Sequence, residues 1–265
     1  MEFAETMSDL GKIKRIAVCL SGNFRTWKTV VKTWDNIIKI DNVEVDYFIH
    51  TWDKVSPSMQ IIGNLKKTGI TDEEIIKDYY KPLDRDLLNE VLDYHKPISY
   101  LVESPKDLSF KNPKQSIFEK SHLSQFFGIM MAGKLKREHE IKNDFIYDLV
   151  IRMRFDTYFT TPIVIDNIKP KLNTIYGNHY DYYYDEVYER HNGRLGDIFW
   201  CSDSLTYDIL SDFYLELQNI TDIPHGTPPE FSWLRYIKKN GISITPNPRW
   251  DLHILRENDT LKKLI

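Results

Sequence analysis

The chain has 265 residues, 42% of them hydrophobic, and carries a formal net charge of −4. That length suits one large domain, and the apolar content supports a sizeable core, so composition excludes a disordered chain. The mild negative charge argues against broad binding to nucleic acid or membrane surfaces, which need a basic field.

Residues 1–11 read as a flexible tail, and they lack the apolar stretch of a signal peptide. No apolar run approaches the ~20 residues of a membrane span. Cys19 and Cys201 each sit inside an apolar run and read as small buried hydrophobes, since two cysteines make neither a disulfide framework nor a zinc site. The expected compartment is therefore the cytoplasm. Arg15 to Leu20 is an apolar, β-branched run ending at Ser21-Gly22, which predicts a buried strand of a parallel sheet. Trp27, Val30, Val31, Trp34, Ile37 and Ile38 then recur at helical spacing, predicting a helix over 26–40. Val43 to Ile49 predicts the second strand and completes a βαβ unit. Thr71 with Glu74 three residues on is a helix start, and 86–94 predicts a further helix. Pro97 to Val102 predicts a short strand, and a long helix is expected from about Lys114 to Lys142, with Leu123, Phe126, Phe127, Met130, Met131 and Leu135 on its apolar face. Asp148 to Asp156 and Asp197 to Cys201 predict strands, 203–217 and 229–239 helices, and Gly241 to Thr245 a closing strand. The pattern is that of a single α/β domain over 12–265.

Five polar clusters fall at the ends of these elements. Arg152, Arg154 and Asp156 alternate along the strand over 148–156, so they are expected on one face. Such a trio suits either an internal salt-bridge cluster or a cleft in which arginine forks hold anionic oxygens and the carboxylate holds a metal or a sugar. Ser21, Gly22, Asn23, Arg25 and Thr26 follow the first strand, where open α/β sheets bind ligands. They form neither a Walker loop nor a dinucleotide fingerprint. His50, Thr51 and Asp53 follow the second strand and are expected to line the same cleft. Glu230 opens a helix, as a partner of the helix dipole or as a general base. His253, in the segment Arg249 to His253, is a candidate metal ligand. Tyr180, Tyr182, Tyr183, Tyr184 and Tyr188 with Asp181, Asp185 and Glu186 suit sugar recognition or an ordinary wet loop equally well.

The segments IAVCLSGNFRTW, DYFIHTWD, YDLVIRMRFD, GDIFWCSDS and PEFSWLRYIKKNGI together resemble a group of glycosyltransferase-like proteins of bacteria, large viruses and phages, with GT-A architecture. The resemblance spans about residues 14–256, and the Arg-x-Arg-x-Asp element is its most specific part. It implies a single GT-A-like, Rossmann-like domain whose mainly parallel, mixed central sheet is flanked by helices. A nucleotide-binding half would cover about 12–156 and an acceptor half about 157–256. Ser21 to Thr26, His50, Thr51, Asp53, Arg152 and Arg154 would bind the nucleotide-sugar donor. Asp156 and Glu230 would be the catalytic carboxylates, and Asp197 would bind acceptor or sugar. Asp156 and His253 would hold a divalent cation, Mn²⁺ or Mg²⁺. Arg154 stands where the family's metal motif has its first acid, so a second guanidinium is an alternative to the cation. A viral member would work in the host cytoplasm. The acceptor would be a glycan or a small molecule. Two other classes also fit: a nucleotidyl- or sulfo-transferase, and a non-catalytic glycan- or nucleotide-binding domain. The sequence SGNFRT lacks the lysine that sulfotransferases usually place after the first strand.

Overall fold

The structure, a computed structural model, describes residues 13–34, 43–57, 59–104, 117–160, 165, 168–180, 194–217, 229–247, 250 and 252–255. Side chains are described throughout these except at 59–60, 117–122, 178–180, 194–197, 229–232, 246–247 and 253. In chain order the first elements are β1 (Arg15–Ser21), α1 (Trp27–Val30) tightening into a 3-10 turn (Val31–Thr33), β2 (Glu44–Trp52) and β3 (Lys54–Val55). Next come α2 (Met59–Lys67), α3 (Asp72–Asp78), β4 (Lys81–Pro82), α4 (Arg85–His95), β5 (Ser99–Glu103) and the long α5 (Ile117–Asn143). The remainder are β6 (Leu149–Met153), β7 (Thr157–Phe159), β8 (Thr174–Tyr180), β9 (Arg194–Ser202), α6 (Ser204–Ser211), α7 (Phe213–Leu217), α8 (Pro229–Lys239), β10 (Ser243–Asn247) and β11 (Leu252–Ile254).

Seven strands form one mixed sheet in the order β10-β8-β9-β6-β1-β2-β5. β1 pairs in parallel with both β2 and β6, β2 with β5 and β8 with β10, while β9 is antiparallel to both its neighbours. The chain thus builds outward from β1 through β2 to β5, then returns to place β6 on the other side of β1. The gap between β1 and β6 is a topological switch point, and its carboxyl end is where open α/β sheets bind ligands.

Strand alternation divides the apolar side chains between two cores. Ile16, Val18, Leu20, Ile49, Leu149, Ile151 and Met153 face Trp27, Val30, Trp34 and Val91. Ala17, Cys19, Phe48, Val150 and Trp200 face Leu123, Phe126, Ile129 and Ala132 of α5, with Tyr207, Phe213 and Trp233 beyond. Burial on both faces explains why β1 reads as a continuous apolar run rather than an alternating one. Cys19 and Cys201 are free and buried, as expected. Burial pushes the Cys19 thiol up to about 12 and raises that of Cys201, so neither is a reactive thiolate near neutrality.

Several boundaries differ from expectation. The helix expected over 26–40 is α-helical only for Trp27–Val30 before the 3-10 turn, and 35–42 lie outside the described residues. Thr29, Val30, Val31 and Thr33 are β-branched, and the Thr33 hydroxyl donates to the Val30 carbonyl at 2.6 Å, drawing the backbone away from a regular helix. β2 runs on through His50, Thr51 and Trp52 because these pair with Leu101, Val102 and Glu103 of β5. Conversely, β6 stops at Met153, so Arg154 and Asp156 belong to the following turn and not to a strand face shared with Arg152. The helix expected over 203–217 breaks at Asp212, where Arg137 of α5 grips the carboxylate at 2.9 and 3.2 Å. β8 makes a strand of Tyr176, the start of the tyrosine-rich segment, whose residues 181–188 lie outside the described ones. The capping box at Thr71 is present: Glu74 N–H donates to Thr71 Oγ1 at 3.3 Å and Thr71 N–H to Glu74 Oε2 at 2.8 Å. The expected flexible tail lies outside the described residues. No described helix is long and apolar enough to cross a membrane.

Candidate functional site

Phe24 and Phe155, both fully buried, meet edge to face at 4.6 Å between ring centres. This contact joins the loop after β1 to the turn after β6 and brings their charged residues together across the switch point. Arg154 clasps Asp156 with both arms of its fork, Nε to Oδ1 at 2.8 Å and Nη2 to Oδ2 at 2.8 Å. Arg25 approaches from the other loop, its Nη1 3.9 Å from Asp156 Oδ2. The Arg25 guanidinium also donates to Ser56 Oγ at 3.1 Å and to the Pro57 carbonyl at 3.4 Å, and Asn23 Nδ2 donates to the same Ser56 Oγ at 3.1 Å. Burial alone would raise the Asp156 carboxyl, but the charge and hydrogen bonds of Arg154, with the charge of Arg25, outweigh it and hold it below the ordinary carboxylate value.

The backbone of this site is tied down from three directions. Gly22 takes φ 122°, a conformation only glycine adopts at low cost, and its N–H donates to the His50 carbonyl at 3.2 Å. Thr51 Oγ1 donates to the Gly22 carbonyl at 2.9 Å. Thr26 Oγ1 donates to the Leu255 carbonyl at 2.8 Å while Leu255 N–H donates to the Asp156 carbonyl at 2.9 Å, so Leu255 stitches the two loops together. Thr51 and Thr26, expected to touch ligand, are thus bonded to the backbone that shapes the site.

Ser21, His50 and Glu103 form a second cluster at the same edge of the sheet, beneath α5. Gly128 lets the helix come close: a Cβ there would lie 3.1 Å from His50 Nδ1 and 3.4 Å from Ser21 Oγ. His50 Nε2 donates to Glu103 Oε2 at 2.9 Å, which fixes the tautomer because a carboxylate only accepts. Burial lowers the His50 pKa and Glu103 opposes this, leaving the imidazole neutral near pH 7. Asp53 is exposed, and its backbone bonds to Glu103 and Leu83. Arg152 lies elsewhere: it is 1% exposed, donates to the Met153 carbonyl, and stands on the α5 side of the sheet close enough to Cys19 and Tyr207 to shift both.

The side chains of Asp197, Glu230 and His253 lie outside the described ones. Their backbones place Asp197 in β9, Glu230 at the second position of α8, and His253 opposite Tyr158 in the β11–β7 pair. The sequence reading missed Ser56, Glu103, Gly128 and Leu255. Gly128 carried a signal, a glycine within a long helix, which marks close packing. The others act through contacts distant in sequence.

A divalent cation fits this donor set poorly. Both Asp156 oxygens already accept from Arg154 and Arg25 adds a second positive charge, while the side chain of His253, the other expected ligand, lies outside the described ones. The sequence matches no family model and no curated protein.

Proposed function

We propose that the chain is a glycosyltransferase that moves a sugar from a nucleotide-sugar donor to a hydroxyl of a glycan or small-molecule acceptor. The observation that carries this is the convergence of Arg25 and Arg154 on Asp156 at the carboxyl end of the β1–β6 switch point. A nucleotide presents phosphate at such a crevice, and planar guanidiniums match phosphate oxygens two at a time. The resemblance of the Arg-x-Arg-x-Asp segment to glycosyltransferase-like proteins supports the same reading. In the transfer, the acceptor oxygen bonds to the anomeric carbon as the bond from that carbon to the phosphate oxygen breaks. The electron pair leaves with the nucleotide, where Arg25 and Arg154 stabilise the developing charge. Glu230, at the start of α8, takes the acceptor proton in an inverting reaction. Asp197 in β9 is the candidate contact to the sugar.

The test is incubation with UDP-, GDP-, CMP-, TDP- and ADP-linked sugars, scoring nucleotide release with and without acceptor sugars. Release from one donor is expected, and Glu230→Gln should slow it by about 10²- to 10⁴-fold. Tight donor binding without release, indifferent to Glu230→Gln, would make the protein a binding module instead.

A further inference from the structure

We infer that the site neutralises its phosphate ligand with the paired guanidiniums of Arg25 and Arg154, and that Asp156 is their anchor rather than a metal ligand. This rests on the phosphate-binding part of the function proposed above. The first ground is the geometry at Asp156. Arg154 occupies one oxygen with Nε and the other with Nη2, each at 2.8 Å, in a fork-to-fork pair. A cation taking either oxygen would have to displace an arm of that fork and sit against two positive charges.

The second ground is what faces the outside. The Asp156 side chain is 4% exposed, whereas those of Arg154 and Arg25 are 20% and 15% exposed. A ligand entering the crevice meets guanidinium before carboxylate. A metal-binding carboxylate needs the reverse order, because the ion must reach its oxygens while it bridges to the phosphate.

The third ground is preorganisation. Arg25 is held by Ser56 and Pro57, contacts independent of Asp156, and Arg154 by Asp156 itself. Arg25 and Arg154 thus bring two guanidiniums to the one carboxylate of Asp156. A guanidinium stays protonated at ordinary pH, so the two arginines offer fixed charge to a phosphate without recruiting an ion. Asp156 therefore positions: it balances part of the charge and fixes the plane of the Arg154 fork.

The experiment is calorimetric titration of the intact, EDTA-treated protein with inorganic pyrophosphate and with UDP, GDP, CDP, TDP and ADP, repeated in Mn²⁺ and in Mg²⁺. Binding of at least one probe is expected in EDTA, with affinity changed by less than about threefold on adding either metal. Arg25→Gln and Arg154→Gln should each weaken that binding by about 10- to 100-fold, with thermal unfolding of the unliganded variants confirming that they fold. Arg154→Lys, which keeps the charge and loses the fork, should also weaken it. Binding that appears only with Mn²⁺ or Mg²⁺, or arginine variants that bind like the parent, would overturn this inference and leave the proposed function standing. Absence of binding by every probe in every condition would overturn both.

Discussion

Asp156 shows how one residue is decided by its neighbours. It is 3% exposed and still ionised, because Arg154 and Arg25 offset the cost of burial. Asp156→Ala should abolish transfer, since the Arg154 fork loses its plane and the crevice its charge balance. The stability cost should be about 2 kcal/mol, below the 3–5 typical of a broken buried pair, because Arg154 can turn to water. Circular dichroism and a transfer assay check this, and full activity would remove Asp156 from the site. His95 gives a pH signature. It is 5% exposed, its Nε2 accepts from Trp27 Nε1 at 3.0 Å, and burial lowers its pKa to about 4. Protonation would set a second N–H against the indole N–H. The folded pKa lies below the unfolded one, so the stabilisation is complete above about pH 6.5 and is lost as pH falls toward 4. The loss should reach about 3 kcal/mol at pH 4. Urea unfolding of the parent and of His95→Gln across that window measures it, and a slope unchanged by the substitution would contradict it.

At the scale of elements, α5 ties the sheet to the C-terminal helices. Gly128 brings it onto β1 and β2 at the site, and Gly133 brings it onto α6, where an added Cβ would lie 2.9 Å from Ser211 Oγ and 3.0 Å from Tyr207 Cε1. Between α5 and α6, Lys136, fully buried, pairs with Glu140 at 2.8 Å and with Asp208 at 2.9 Å, and donates to Ser204. Alanine is the better helix former by about 1 kcal/mol, but overpacking costs about 1–3 kcal/mol. At Gly133 the clash should prevail, because Tyr207 is fully buried and cannot give way. Gly133→Ala should therefore lower stability by about 1–2 kcal/mol, read as a fall in the urea midpoint. Gly128→Ala should cost less, since its nearest contact is longer, at 3.1 Å. A stabilised Gly133→Ala protein would mean that α5 and α6 are less tightly held than their geometry implies.

At the scale of the molecule, one sheet runs through both expected halves, and its switch point lies between the two segments that stood out for their polar residues. β1, β2 and α5 were legible because burial on both faces, or on one helical stripe, writes a continuous or periodic apolar pattern, whereas β5, an edge strand with Tyr100 half-exposed, was read from its short apolar run alone. β7, β8 and β11 were not. Each depends on pairing with a strand distant in sequence, β7 with β11 and β8 with β9 and β10, and carries little apolar signal of its own. Arg25, Arg154 and Asp156 were recognisable as chemical groups from their place beside strand ends. Their arrangement was not, because Arg154 turns onto Asp156 only after β6 has ended, and Arg25 reaches Asp156 across the packing of Phe24 on Phe155. Likewise Arg152 looked equivalent to Arg154 and proved to be enclosed on the α5 side. The sequence by itself determined the α/β class, the apolar strands and the chemical types available at their ends, since these follow from local pattern and composition. Tertiary structure alone decided that β6 lies beside β1 and that Arg25 reaches Asp156, since those depend on contacts between residues more than a hundred positions apart.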